Sequence, residues 1–368
     1  MLWSAAHELR DDGLRHELTA QRARLTAAHG RPQAALAAAR PLLRDSAVHE
    51  RARMTAALGA VEALFTSGQT DEAVALARTW LPVARRLREE VPFAEPVLLG
   101  MRALALRLAG RLIEATTFSQ RAYGVLLARR AAPATAIEAN MLGVIWLARG
   151  RVRTALRFCR ESAALLRDGD APGMLAFALA GIDQAAAQAG EPATARAAIA
   201  EMARTPLGHK GFAVELELAR AWSAAASGEL SRARVLAREA AAFARSHGQD
   251  AYAVGALHAL CRLGDPATAA PQLTELAATV DGPFAATATA HAAARAARDG
   301  AALLAVAERF ADQGARLLAV EAAHAAAAAH REAGWQASAR AAAARAGLWL
   351  TDCEGARPPT MPRPTPST

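Results

Sequence analysis

Leu142-Gly143-Val144-Ile145-Trp146-Leu147-Ala148-Arg149-Gly150-Arg151-Val152-Arg153-Thr154-Ala155-Leu156 is the stretch that decides the fold. An apolar helix runs into Gly150 and a second helix leaves it. Glycine suits the left-handed position just past a helix end. The small Gly143 and Ala155 let the two helices approach closely, and the bulky Trp146 fills the groove between them.

The same pattern recurs outward from this hairpin. Glycines stand at Gly30, Gly68, Gly110, Gly150, Gly190, Gly228, Gly264, Gly300 and Gly334, at intervals of 34 to 42 residues. Five residues after each stands an alanine, from Ala35 to Ala305 and Ala339. Seven residues before them a small side chain is frequent, as at Ala23, Ala103, Ala221, Ala293 and Ala327, with Val61, Asp183 and Leu257 departing from it. Proline or acidic residues follow several of the glycines, as in Gly190-Glu191-Pro192 and Gly264-Asp265-Pro266. These residues suit the first turn of a new helix. Self-similarity at this period marks a helical solenoid.

The small-bulky-glycine-alanine order resembles the tetratricopeptide repeat. The resemblance implies an all-α, right-handed superhelix of about nine helix pairs, with the first helix of each pair lining the concave face. The solenoid is expected over residues 1–353. Short breaks such as Val91-Pro92, Ala132-Pro133, Gly169 to Pro172, Thr205 to Gly208 and Asp281-Gly282-Pro283 separate the pairs. None of them is long enough to be a domain linker. After Cys353 the prolines of 354–368 deny a helix. A disordered or extended tail is expected there.

Composition narrows the function classes. Aromatics make up 5% of the chain, so few rings lie among the arginines to stack bases. The net charge of +8 comes almost wholly from arginine, with Lys210 the sole lysine. Arg153, Arg157 and Arg160 share one helical face, read as a solvated outer surface rather than a nucleic-acid groove. Cys159, Cys261 and Cys353 are odd in number and far apart, which reads as reduced thiols of a cytoplasmic protein. Met1 to Asp12 lacks a basic leader and a long apolar region, and the apolar run from Leu142 to Ala148 is too short to span a bilayer.

A sharper resemblance lies near the end. Phe310, Gly314-Ala315, Ala319, Glu321-Ala322, His330-Arg331, Ala333-Gly334 and Cys353-Glu354-Gly355-Ala356-Arg357 follow in the order found in large actinobacterial LuxR-type, MalT-like regulators. In that family an ATPase module precedes the helical repeats and a DNA-binding helix-turn-helix follows them. The family's phosphate loop needs a lysine after glycine, and Leu207-Gly208-His209-Lys210-Gly211 does not fit it. No base-reading helix follows Arg357 in this sequence. The resemblance therefore implies the sensor segment alone, without direct DNA binding.

Chemistry is sparse. His258 and Cys261 share a helix face, but two ligands do not make a metal site. No nucleophile elbow or Cys-x-x-Cys is present. The reading is a non-enzymatic module without metal or cofactor. Polar residues on first helices are the candidates for a ligand groove: Arg102, Asn140, Asp183, Gln184 and Glu215, with Trp146 as an apolar wall. Asp183 stands out, because a carboxylate at a helix-contact position is costly unless paired. The expected function is regulatory: a protein, peptide or small inducer binds the concave groove and biases a transcription module, with self-association possible. The alternatives are a scaffold that senses nothing and, less favoured, an arginine-mediated nucleic-acid binder.

Overall fold

A computed structural model describes residues 11–169, 173–206 and 208–361. Residues 1–10, the Asp170-Ala171-Pro172 break, Leu207 and the 362–368 part of the tail lie outside the described residues. Within them are eighteen α-helices in nine consecutive pairs. The pairs are α1 (Asp12–Ala28) with α2 (Pro32–Arg44), α3 (Glu50–Thr66) with α4 (Thr70–Arg86), and α5 (Ala94–Ala109) with α6 (Leu112–Ala128). Next come α7 (Ala132–Ala148) with α8 (Val152–Arg167), α9 (Leu175–Ala189) with α10 (Pro192–Met202), and α11 (Ala213–Ala226) with α12 (Leu230–Ser246). The last three are α13 (Asp250–Arg262) with α14 (Pro266–Leu276), α15 (Pro283–Ala297) with α16 (Gly300–Asp312), and α17 (Arg316–Glu332) with α18 (Gln336–Leu350).

Eight of the nine pairs turn as their glycine dictates. At Gly150 the backbone is left-handed (φ 84°), as a helix end of this kind requires. Arg151 N–H donates to the Trp146 carbonyl at 2.9 Å and closes that end. Ala35, Ala73, Ala115, Ala155, Ala195, Ala233, Ala269 and Ala339 are all buried. The eighth pair departs from the expectation. Its left-handed turn residue is Arg298 (φ 53°), not Gly300, which sits inside α16. Asp299 accepts from the Ala301 and Ala302 amides and starts that helix early. The buried contacts therefore shift two places, to His291 and Leu303, and Ala293 and Ala305 are exposed. In so alanine-rich a chain, the pattern matched there by abundance.

From α1 through α15 the odd-numbered helices pack on one another from pair to pair and form the inner layer. Helices α3, α7, α9 and α13 are buried on nearly every side: α7 is buried at Ala139 through Trp146 without a break. The even-numbered helices bury a single stripe, as in α8 with Val152, Ala155, Leu156, Cys159, Ala163 and Leu166. Small side chains dominate the contacts, so stability rests on many close approaches rather than on a few large side chains.

The coil closes on itself. Helix α13 reaches α3 and α5, and α15 reaches α5. The turn at Gly110 meets Phe284 at the start of α15, and the turn at Gly150 meets Leu317 at the start of α17. A Cβ on Gly150 would lie 2.7 Å from the Leu317 backbone nitrogen. This glycine is needed both for its φ and for the contact between turns. Asp281, just before α15, accepts from the Thr70 and Asp71 amides at 2.6 and 3.1 Å and caps α4 from across the coil. Residues 354–361 continue this contact: Arg357 lies against Gly190, and its N–H donates to the Gln188 carbonyl at 2.8 Å.

Candidate binding groove

The inner helices surround a central opening of about 140 Å³, walled by α5, α7, α9, α11, α13, α15 and α17. That is the scale of a cavity taking one small aromatic ring. Its apolar wall includes Val144, Leu147, Leu218, Trp222, Phe284 and Leu317; its polar wall includes Arg107, Gln184, Glu215, Tyr252 and Arg262.

Of the six residues proposed from sequence, Gln184 and Glu215 line this opening, and the other four do not. Gln184 Nε2 donates to the Glu215 carbonyl at 3.3 Å and to Glu215 Oε2 at 3.4 Å. Glu215 Oε1 accepts from Arg107 Nη2. Asp183, the neighbour of Gln184, faces the other way and is fully buried, with neither carboxylate oxygen bonded among the described residues. Burial pushes its pKa up to about 8; the nearby Ser223 hydroxyl draws it back in part without meeting hydrogen-bond geometry. Asn140 is equally buried and lies beside Gly181, its amide unbonded among the described residues. Trp146 carries the guanidinium groups of Arg149 and Arg151 over its ring, at 4.9 and 5.6 Å. Arg102 lies 4.3 Å from the Phe118 ring centroid, between α5 and α6, and burial lowers its pKa.

Several polar residues of the opening escaped the sequence reading. Tyr252 on α13 is buried, and its hydroxyl has no partner among the described residues; burial foremost, then the charge of Glu215, raises its pKa. Arg107 Nε is likewise unpartnered there. Arg262 forms a two-pronged pair with Glu321 of α17, Nε to Oε2 at 2.7 Å and Nη2 to Oε1 at 2.8 Å. The same guanidinium lies 4.4 Å from the Trp222 ring centroid. Arg262 stands two residues before the Gly264 turn on a first helix, and Arg102 was chosen for standing on such a helix; nothing in the repeat distinguishes the two.

The hydrogen-bond partner of His258 is another histidine. Nε2 of His258 lies 2.9 Å from Nδ1 of His291, both rings buried. Burial, then the charges around them, holds both pKa values below the ordinary histidine range, His291 at about 3. No cluster of three metal-ligating side chains occurs among the described residues. On the outer surface Arg153 donates to the Glu354 carbonyl, Arg157 covers Phe158, and Arg160 faces Glu191 at 4.0 Å. No helix among the described residues is long and apolar enough to cross a membrane.

Paired helices with a buried inner layer and a polar-lined central opening define a tetratricopeptide-like helical-repeat solenoid. In the solved structures the chain is similar to a Rap protein complexed with Competence and Sporulation Factor, with a TM-score of 0.60 over 92% of this chain and 99% of that one. Sequence identity is 12%, so the likeness lies in the fold. No protein-family model matches the chain, and no curated protein matches it.

Proposed function

We propose that the chain is a non-enzymatic regulatory module that binds a peptide segment of a partner across the central opening. The observation that carries this is the Tyr252 hydroxyl, buried on the wall of the opening and unpartnered among the described residues. Buried polar groups are nearly always bonded, so an orphan on a residue that lines an opening is a candidate contact for a ligand. Arg107, Gln184 and Glu215 beside it offer donors and acceptors for a peptide backbone, and Trp222, Leu218 and Phe284 offer an apolar seat for a side chain. The Rap protein, with the same fold, was solved with a bound factor, which supports a binding role here.

Coupling to transcription is the wider part of the proposal. It rests on the likeness of Phe310 to Arg357 to LuxR-type regulators, and it places the ATPase and DNA-binding modules on other polypeptide segments or partners. A small inducer in place of a peptide is the second reading, favoured by the small size of the opening.

Gly255 supplies the test. It lines the opening, and a Cβ built there meets nothing within 4 Å. Gly255→Leu carries an apolar side chain into the opening from a position where the Cβ itself meets nothing. Peptides selected on the immobilised full chain from a random-peptide display library are then measured by calorimetry on both proteins. The expected result is at least a tenfold loss of affinity on Gly255→Leu, about 1.4 kcal/mol. Selected peptides that bind both proteins equally would sink the reading.

A further inference from the structure

The segment Glu354–Met361 lies on the solenoid where a tenth pair would begin. The turn of the third pair, at Gly110, meets α15 of the eighth, and the turn of the fourth, at Gly150, meets α17 of the ninth. The turn of the fifth, at Gly190, meets Arg357. An extended strap thus takes the place a further helix would hold.

Three contacts fix it. Glu354 Oε2 accepts from the Arg153 and Thr154 amides at 3.0 and 2.8 Å, and its Oε1 accepts from the Thr154 hydroxyl at 2.6 Å. This carboxylate completes the start of α8, where unpaired amides favour an anion. Next, Arg357 N–H bonds to the Gln188 carbonyl at the end of α9, with Ala356 and Pro358 buried on either side. Finally, the Thr360 hydroxyl donates at 2.8 Å to Oε1 of Glu321, the buried carboxylate that holds Arg262 on the wall of the opening.

The cap at Asp281 makes the same kind of contact on α4, but Asp281 is held between α14 and α15. Glu354 has no helix after it among the described residues and turns the chain with two left-handed residues in succession, itself (φ 56°) and Gly355 (φ 77°). A non-glycine residue in that region is strained, so this anchor releases more readily than the other.

We propose that the surface between the start of α8, the end of α9 and Glu321 is a peptide-docking site, occupied in cis by Glu354–Met361 and open in trans to an extended partner segment of the same chemistry. That chemistry is an acidic residue, a proline four places on and a hydroxyl residue six places on. The acid fits the α8 amides, the proline fits the dry step beside Gln188, and the hydroxyl meets Glu321. Arrival of the partner segment displaces the strap and takes Thr360 off Glu321 at the edge of the central opening. The inference holds whatever the opening itself binds.

The test uses the full chain and a fluorescein-labelled synthetic peptide, Glu-Gly-Ala-Arg-Pro-Pro-Thr-Met. In the wild type the tethered copy competes at an effective concentration on the order of millimolar. Glu354→Ala in the chain weakens that competitor and leaves the docking surface intact. Fluorescence anisotropy is expected to show at least tenfold tighter binding to Glu354→Ala than to wild type, and a peptide with alanine in place of its glutamate is expected to lose that gain. Equal affinity for the two chains, or no binding to Glu354→Ala, overturns the proposal. A second readout needs no variant: excess peptide should accelerate amide exchange at Arg357 of the wild-type chain. Unchanged exchange there at saturating peptide also overturns it.

Discussion

Two buried carboxylates separate the middle of the solenoid from its closing end. Glu321 on α17 is 4% exposed and fully engaged, by the fork of Arg262 and by the Thr360 hydroxyl. Asp183 on α9 is 0% exposed and has no bonded partner among the described residues. Both break the apolar rule for an inner helix, yet with opposite consequences. A charge that is paired and bonded when buried is locked in place, whereas one left alone gives up its charge instead. The sequence reading chose Asp183 for being anomalous; the structure puts the organised polar chemistry at Glu321, which reads as ordinary.

The largest effect should come from breaking the engaged pair. Arg262→Ala leaves Glu321 buried without its cation and should cost about 3–5 kcal/mol in urea unfolding. A loss below about 1 kcal/mol would mean that water reaches Glu321 freely. The lone carboxylate should respond oppositely, and with a pH signature. Its folded pKa, about 8, lies above the ordinary 3.8, so the native state holds the proton more tightly than the unfolded chain does. Stability linked to Asp183 is therefore full below the unfolded value and is lost as pH rises through the folded one. Asp183→Asn removes this slope. Between pH 5 and 7 the variant should gain on the wild type by about 1 kcal/mol per unit, as urea midpoints taken at each pH will show. Parallel pH curves would mean that Asp183 is ionised and paired in solution.

Smaller effects sharpen the contrast at the opening. Gly255→Leu replaces a helix-interior glycine in open space. It should raise stability by up to about 1 kcal/mol while blocking the opening. Tyr252→Phe removes a buried hydroxyl with no partner among the described residues, and its unfolding midpoint should stay level or rise slightly. If Tyr252→Phe instead costs more than about 1 kcal/mol, the hydroxyl is already bonded in the free protein, by water or by Glu215.

The helix pairs were legible because the repeat is a local code. Glycine at a turn and alanine five places on are dictated by contacts within one hairpin, and eight pairs obey both. The eighth pair in the chain misled because Asp299 starts its second helix early, and Ala293 and Ala305 happened to satisfy the pattern two places out of step. The groove was less legible. Gln184 and Glu215 showed themselves as polar residues on first helices. Tyr252 and Arg262 share α13, but Arg107 of α5 and Glu321 of α17 reach that helix only through the coiling of the solenoid, which the period of the repeat does not encode. The contact between Thr154 and Glu354 spans 200 residues and lies wholly outside that code.

Closure also fixes how many repeats can lie between the junctions it makes. An open solenoid is nearly one-dimensional: each unit answers only to its neighbours, and units can be added or removed one at a time. Here the turn at Gly150 must find Leu317, and the start of α4 must find Asp281. Deleting or duplicating a hairpin shared by both, from the fifth pair to the seventh, would bring the wrong partner to these junctions together. Change in this lineage is therefore expected by substitution within repeats and by extension at the ends, not by gain or loss of units in the middle.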